Sequence, residues 1–69
     1  MVEVFKTNVD EIEQSEILVE KLNCHFPGSK INFDLNDCDK ILRVEAESIS
    51  HHSIIALLND HGFFAEVLQ

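Results

Sequence analysis

KINFDLNDCDKILRVEA, residues 30–46, decides the fold. Ile31, Phe33 and Leu35 alternate with Asn32, Asp34 and Asn36, the period of a half-buried strand. Leu42, Val44 and Ala46 repeat the alternation and leave Ile41, Arg43 and Glu45 on the opposite face. Between the two runs lies Asn36-Asp37-Cys38-Asp39, whose Asn and Asp side chains bond their own backbone in turns. The stretch therefore reads as an antiparallel hairpin with one apolar face. Two strands alone are marginal in water, so that face needs a cover. The flanking segments supply one helix on each side.

Before the hairpin, Val2–Thr7 reads as a strand, with Val2 and Val4 on one face and Glu3, Phe5 and Thr7 on the other. Asp10 is the expected N-cap of a first helix, with Glu13 three residues on, an acidic capping box. Its apolar stripe is Ile12, Leu18, Val19, Leu22 and Phe26, and Pro27-Gly28 ends it. After the hairpin, Ile49, Ser50 and Ile54 take the N′, N-cap and N4 places of a hydrophobic staple. The second helix buries Ile54, Ile55, Leu57 and Leu58, and Gly62 stands where a left-handed C-cap is wanted. Phe63–Leu68 forms the last strand.

The order βαββαβ, with right-handed crossovers, gives an α+β ferredoxin-like sandwich: a four-stranded antiparallel sheet in the order 4-1-3-2 with both helices on one face. The 69 residues form one domain, 1–69, large enough to bury about 60% of the unfolded chain's surface. The 45% apolar fraction fits a folded globule. No apolar run nears the roughly 18–20 residues of a membrane span, and no signal peptide is visible. Two cysteines are too few for a secreted disulfide scaffold, so the expectation is a cytoplasmic protein. A formal charge of −8 disfavours nucleic acid and anionic membranes as partners, since phosphate is bound by Lys and Arg.

The closing run Ile55-Ala56-Leu57-Leu58-Asn59-Asp60-His61-Gly62-Phe63-Phe64-Ala65-Glu66-Val67-Leu68 is similar to the last helix, Gly-aromatic turn and Ala-Glu-Val strand of the heavy-metal-associated domains. These are the small copper chaperones and the N-terminal modules of metal-pumping ATPases. Element order and size extend the resemblance over nearly the whole chain. It implies the ferredoxin-like fold and, in the family, a Met-x-Cys-x-x-Cys loop between the first strand and first helix that binds soft ions such as Cu(I). With Val9 in the motif's apolar place, the two cysteine positions fall near Glu11 and Gln14. Neither is a soft ligand, so the family's metal chemistry does not carry over.

No nucleophile–base set, phosphate-cradling glycine loop or basic cluster points to an enzyme. Asp37 and Asp39 suit turn chemistry better than acid–base work. Acidic residues gather at the same end (Asp10, Glu11, Glu13, Asp37, Asp39, Asp60) and read as a solvated rim. Cys24 and His25 close the first helix while His51 and His52 open the second. Antiparallel helices bring those ends close, so these four are the candidate metal ligands, suited to Zn or Cu. The competing reading is a core-edge cysteine with surface histidines. On the open sheet face, alternation places Phe5, Ile41 and Phe64 on three adjacent strands, rimmed by Glu3, Arg43, Glu45 and Glu66. That stripe is the candidate contact for a protein partner or a weak homodimer. The expected function is a small interaction module without the thiolate loop; the alternative is metal handling through a different Cys/His site.

Overall fold

A computed structural model describes residues 1–68. The elements are β1 (Val2–Thr7), α1 (Ile12–His25), β2 (Lys30–Asp34), β3 (Ile41–Glu45), α2 (His51–Asp60) and β4 (Ala65–Val67). The strands make one antiparallel sheet in the order β2-β3-β1-β4, the expected ferredoxin-like arrangement. In the hairpin, Ile31 lies opposite Val44 and Phe33 opposite Leu42, so the quoted alternation does set the core face. Asp34 Oδ1 accepts from the Asn36 amide at 3.2 Å and Asp37 Oδ1 from the Asp39 amide at 2.8 Å, the side-chain turn chemistry those residues offer.

Local signals also fix the helix ends. Pro27 and Gly28 (φ 86°) form the centre of a turn closed by the Ser29 amide on the Phe26 carbonyl at 3.3 Å. The turn has the type II signature, which needs glycine at its third position. Ser50 caps α2, its hydroxyl accepting from the Ser53 amide at 3.3 Å. At the other end the Phe63 amide reaches the Leu58 carbonyl at 2.8 Å and the Gly62 amide reaches Asn59 at 3.0 Å. With Gly62 at φ 86°, this is a Schellman motif, and it turns the chain into β4.

Two expectations are corrected. Asp10 does not cap α1: Glu11 holds that place and makes no side-chain cap bond. Ile12 is exposed, and the inward stripe is Ser15, Leu18 and Leu22, with Ser15 Oγ bonded to the Ile12 carbonyl at 2.7 Å. The buried apolar group near that end comes from the loop instead, as Val9.

The larger correction concerns β1. Phe5 pairs with Leu42 and Val67 and is wholly buried, so it belongs to the helix-covered face together with Glu3 and Thr7. Val2, Val4 and Lys6 take the open face. A strand with apolar groups on both sides has no unique phase by alternation, and a one-residue slip swaps every side chain. The larger aromatic wins the core place, since it buries far more apolar surface than a valine.

The core joins Phe5, Val9, Leu18, Leu22, Leu42, Val44, Ile54, Leu57, Leu58 and Ala65 between sheet and helices. Thr7 ties it to the hairpin turn. Its amide donates to the Asp39 carbonyl at 3.1 Å, its Oγ donates to the Lys40 carbonyl at 2.6 Å, and that Oγ accepts from the Val9 amide at 3.2 Å.

Candidate interaction face

The open side of the sheet is built by strand alternation and pairing alone. Reading across the register, Lys30 lies opposite Glu45 and Glu45 opposite Val2; Asn32 opposite Arg43 and Arg43 opposite Val4; Asp34 opposite Ile41 and Ile41 opposite Lys6. Lys6 in turn faces Glu66 on β4. The Leu68 amide donates to the Val4 carbonyl at 2.8 Å, which extends the ladder and sets Leu68 beside Val4. Alternation from Glu66 puts Phe64 on this side too, with its amide held by Asn8 Oδ1 at 2.7 Å.

The apolar part of the face is thus Val2, Val4, Leu68, Ile41 and Phe64, with Val2 53% and Phe64 46% exposed. Ile41 and Phe64 stand where expected, while Phe5 is replaced by Val2 and Val4. The sequence did carry a signal for this. Phe5, Thr7 and Val9 share one phase, whereas Lys6, which must reach water, shares the phase of Val2 and Val4.

Charge on this face is balanced. It carries Lys6, Lys30 and Arg43 against Asp34, Glu45 and Glu66. Three of the chain's five cations therefore sit with three of its thirteen acids, and the formal −8 falls entirely on the rest of the molecule. On the exposed side of α1 alone lie Glu13, Glu16 and Glu20.

The candidate metal ligands do not converge. Cys24 is exposed, and His25 Nδ1 lies 3.0 Å from the Lys21 carbonyl of its own helix. His51 turns to the sheet: its Nε2 is 3.2 Å from Glu3 Oε2, and its ring meets Phe5 edge-on at 5.9 Å. That nitrogen is buried without an aligned hydrogen bond, so the Glu3 approach is one of charge when the imidazole is protonated. His52 is exposed. A hollow of about 440 Å3 opens between Phe26–Ser29 and Ala46–Ser48, and none of the four residues lines it.

Among the described residues, the one set of three Cys, His or carboxylate ligand atoms within 4.8 Å of one another is Asp37, Cys38 and Asp39 in the hairpin turn. Both carboxylates there are occupied, Asp37 by the Asp39 amide and Asp39 by Lys6 Nζ at 3.8 Å. No described helix is long and apolar enough to cross a membrane. Comparison with family models and with curated proteins gives no match.

Proposed function

We propose that this chain is an interaction module of the cytoplasm, which docks on another protein through the open sheet face and catalyses no reaction. The observation that supports the reading is the charge distribution: a sheet face that mixes apolar groups with balanced charges, in a molecule that is acidic elsewhere. Such a face presents no net field to a partner, and the exposed Val2, Phe64 and Leu68 offer apolar surface for it to bury. In this reading the chain is a relative of the heavy-metal-associated domains whose ion loop has been lost at Glu11 and Gln14. The test is site-specific photocrosslinking with p-benzoylphenylalanine in place of Val4 or of Glu20. One dominant adduct from the Val4 position, absent from the Glu20 position, is the expected result. No adduct at Val4, or the same adducts from both positions, would overturn it.

Metal handling through a non-family site is the second reading, and one observation favours it. His25, Asp60 and His61 line a single groove of about 420 Å3 along α2. His61 Nδ1 lies 2.9 Å from the Leu57 carbonyl, and His25 Nδ1 lies 3.0 Å from the Lys21 carbonyl. A carbonyl only accepts, so each ring bonded this way carries a hydrogen on Nδ1, and only in the neutral imidazole does Nε2 have a lone pair for an ion. Two imidazoles completed by water form a weak Zn(II) site, since closed protein sites use four ligands. Zn(II) titration followed by the His25 and His61 ring resonances decides it: unchanged resonances at excess Zn(II) remove this reading. Cu(I) titration against a chelator should show no stoichiometric capture in the Cys24→Ser, Cys38→Ser double variant, because the chain then holds no thiolate and Glu11 and Gln14 supply none.

A further inference from the structure

We infer that two copies of this chain join edge to edge through antiparallel β2 strands, continuing their four-stranded sheets into a single sheet of eight. Among the described residues β2 ends the sheet, so one side of its backbone is unpaired. The register shows which groups lie there. The Ala46 amide donates to the Met1 carbonyl at 2.9 Å, which makes that pair and every second pair along the ladder hydrogen-bonded, so Val44 and Leu42 bond β1. Glu45, Arg43 and Ile41 therefore bond β2, through Lys30, Asn32 and Asp34. The amides and carbonyls of Ile31 and Phe33 are left pointing outward along the edge. A second β2 laid antiparallel and centred on Asn32 sets Ile31 of each copy opposite Phe33 of the other. Those are the outward groups, and at two bonds per pair they close about four backbone hydrogen bonds.

The side chains select the same register. In Lys30-Ile31-Asn32-Phe33-Asp34 paired with itself, Lys30 of each copy falls opposite Asp34 of the other at both ends of the ladder. Sliding the copy to the next allowed register either way sets Lys30 opposite Asn32 or Asn36 and loses both ion pairs. Ile31 and Phe33 are half-buried against the core, and an aromatic–aliphatic pair across the join covers each of them. Next to them, Ile12 stands 68% exposed over a hollow of about 280 Å3 shared with Ser15, Phe33 and Leu35, so the space beside the edge is open. The edge is also lightly guarded: β2 has five regularly paired residues with no proline or bulge, whereas β4 at the opposite edge has three. The charge of −8 on each copy does not forbid the join. Screening acts within about 8 Å at physiological salt, short against the 27 × 24 × 17 Å extents of each copy, so local pairs decide the contact. The join leaves the open sheet face uncovered and is independent of the docking reading and its crosslinking test.

A few backbone hydrogen bonds and two exposed ion pairs make a small contact, so the dissociation constant should be of the order of 0.1–1 mM. The experiment is sedimentation equilibrium of the full chain over a concentration series, with amide hydrogen exchange followed by NMR. The expected result is a monomer–dimer equilibrium in which the Ile31 and Phe33 amides gain protection as concentration rises, while the Val2 and Phe64 signals stay in place. Lys30→Glu sets carboxylate against carboxylate at both ends of the ladder, and Asp34→Lys sets ammonium against ammonium; each alone should weaken the dimer about tenfold. Mixed one to one, the two variants restore opposite charges at both ends and should associate within about threefold of the parent. Circular dichroism checks the fold of each variant, and should one unfold, the amide protection of the parent still decides. A monomer at every concentration up to about 2 mM overturns the inference. Association that shifts Val2 and Phe64 and leaves the Ile31 and Phe33 amides unprotected overturns it too, because the contact is then the open face. Two folded variants whose mixture associates no better than either alone also overturn it, since Lys30 and Asp34 then do not meet across the join.

Discussion

The two sides of β1 are made from similar residues and have opposite fates. Glu3, Phe5 and Thr7 face the helices; Val2, Val4 and Lys6 face water. Each side has apolar atoms and one ionisable group. What separates them is what lies across from each side chain. Phe5 meets Leu42, Val67 and the His51 ring, and Thr7 finds three backbone partners, whereas Val4 meets only Arg43 and Leu68 at the surface. The phase of a strand is thus settled by the volume and hydrogen bonds that the rest of the fold can offer. Its own apolar count does not settle it.

The sharpest way to break this comparison is to truncate both sides in turn. Phe5→Ala should cost about 3–5 kcal/mol, against a total of roughly 3–10 kcal/mol for a chain of this size, and leave much of the protein unfolded at room temperature. Val4→Ala should cost less than about 1 kcal/mol, as removing two methyl groups from a partly exposed position does. Urea unfolding followed by circular dichroism compares the two; equal midpoints would place Phe5 on the wrong face. A second pair is smaller. Thr7→Val keeps the shape of the side chain but orphans the buried Val9 amide and the part-buried Lys40 carbonyl, for a loss of about 1–3 kcal/mol. Lys6→Ala beside it should be within about 0.5 kcal/mol of the parent. If thermal melts show no difference between the two, the tie from β1 to the hairpin turn is not holding structure.

The least of the expected effects belongs to Glu3 and His51. A double-mutant cycle of Glu3→Ala and His51→Ala should give a coupling of no more than about 0.5 kcal/mol, because the His51 side chain remains 41% exposed. A coupling above about 1.5 kcal/mol would mean a buried, hydrogen-bonded pair rather than a charge approach at the rim.

Much of this fold was legible because its signals are local. Ser50 and Gly62 name the ends of α2, and Pro27-Gly28 names the turn after α1, each through backbone chemistry that needs no knowledge of neighbours. The hairpin was legible because both of its strands agree in phase. The phase of β1 was not legible from its apolar alternation, only from Lys6 and the run Phe5, Thr7, Val9, and that ambiguity carried into both candidate sites. With Phe5 turned inward, the open-face stripe passes to Val2 and Val4. With Glu3 turned inward, His51 gains a carboxylate partner at the sheet and leaves the group drawn from sequence with Cys24 and His25. The residues of that group do lie near helix ends, as their positions require, but direction around a helix depends on packing. Nothing in spacing alone turns Cys24 back toward α2. Balanced charge on the open face was equally hidden, since it arises from four strands read together.

The sheet order has a consequence in time. β1 lies between β3 and β4, so the first of these four strands is among the last to acquire both neighbours. Its partner on one side starts at Ile41, and on the other the pairing waits for Ala65–Val67 and the bond from Leu68 to Val4. Until those residues leave the ribosome, β1 keeps an unpaired edge. Phe5, centred in that strand, cannot yet be fully enclosed. Pairings of such long sequence separation slow folding, because loop closure must precede the contacts that reward it. β1 therefore stays open until both β3 and β4 have formed, and the hairpin of β2 and β3 is the one sheet pairing between strands adjacent in sequence.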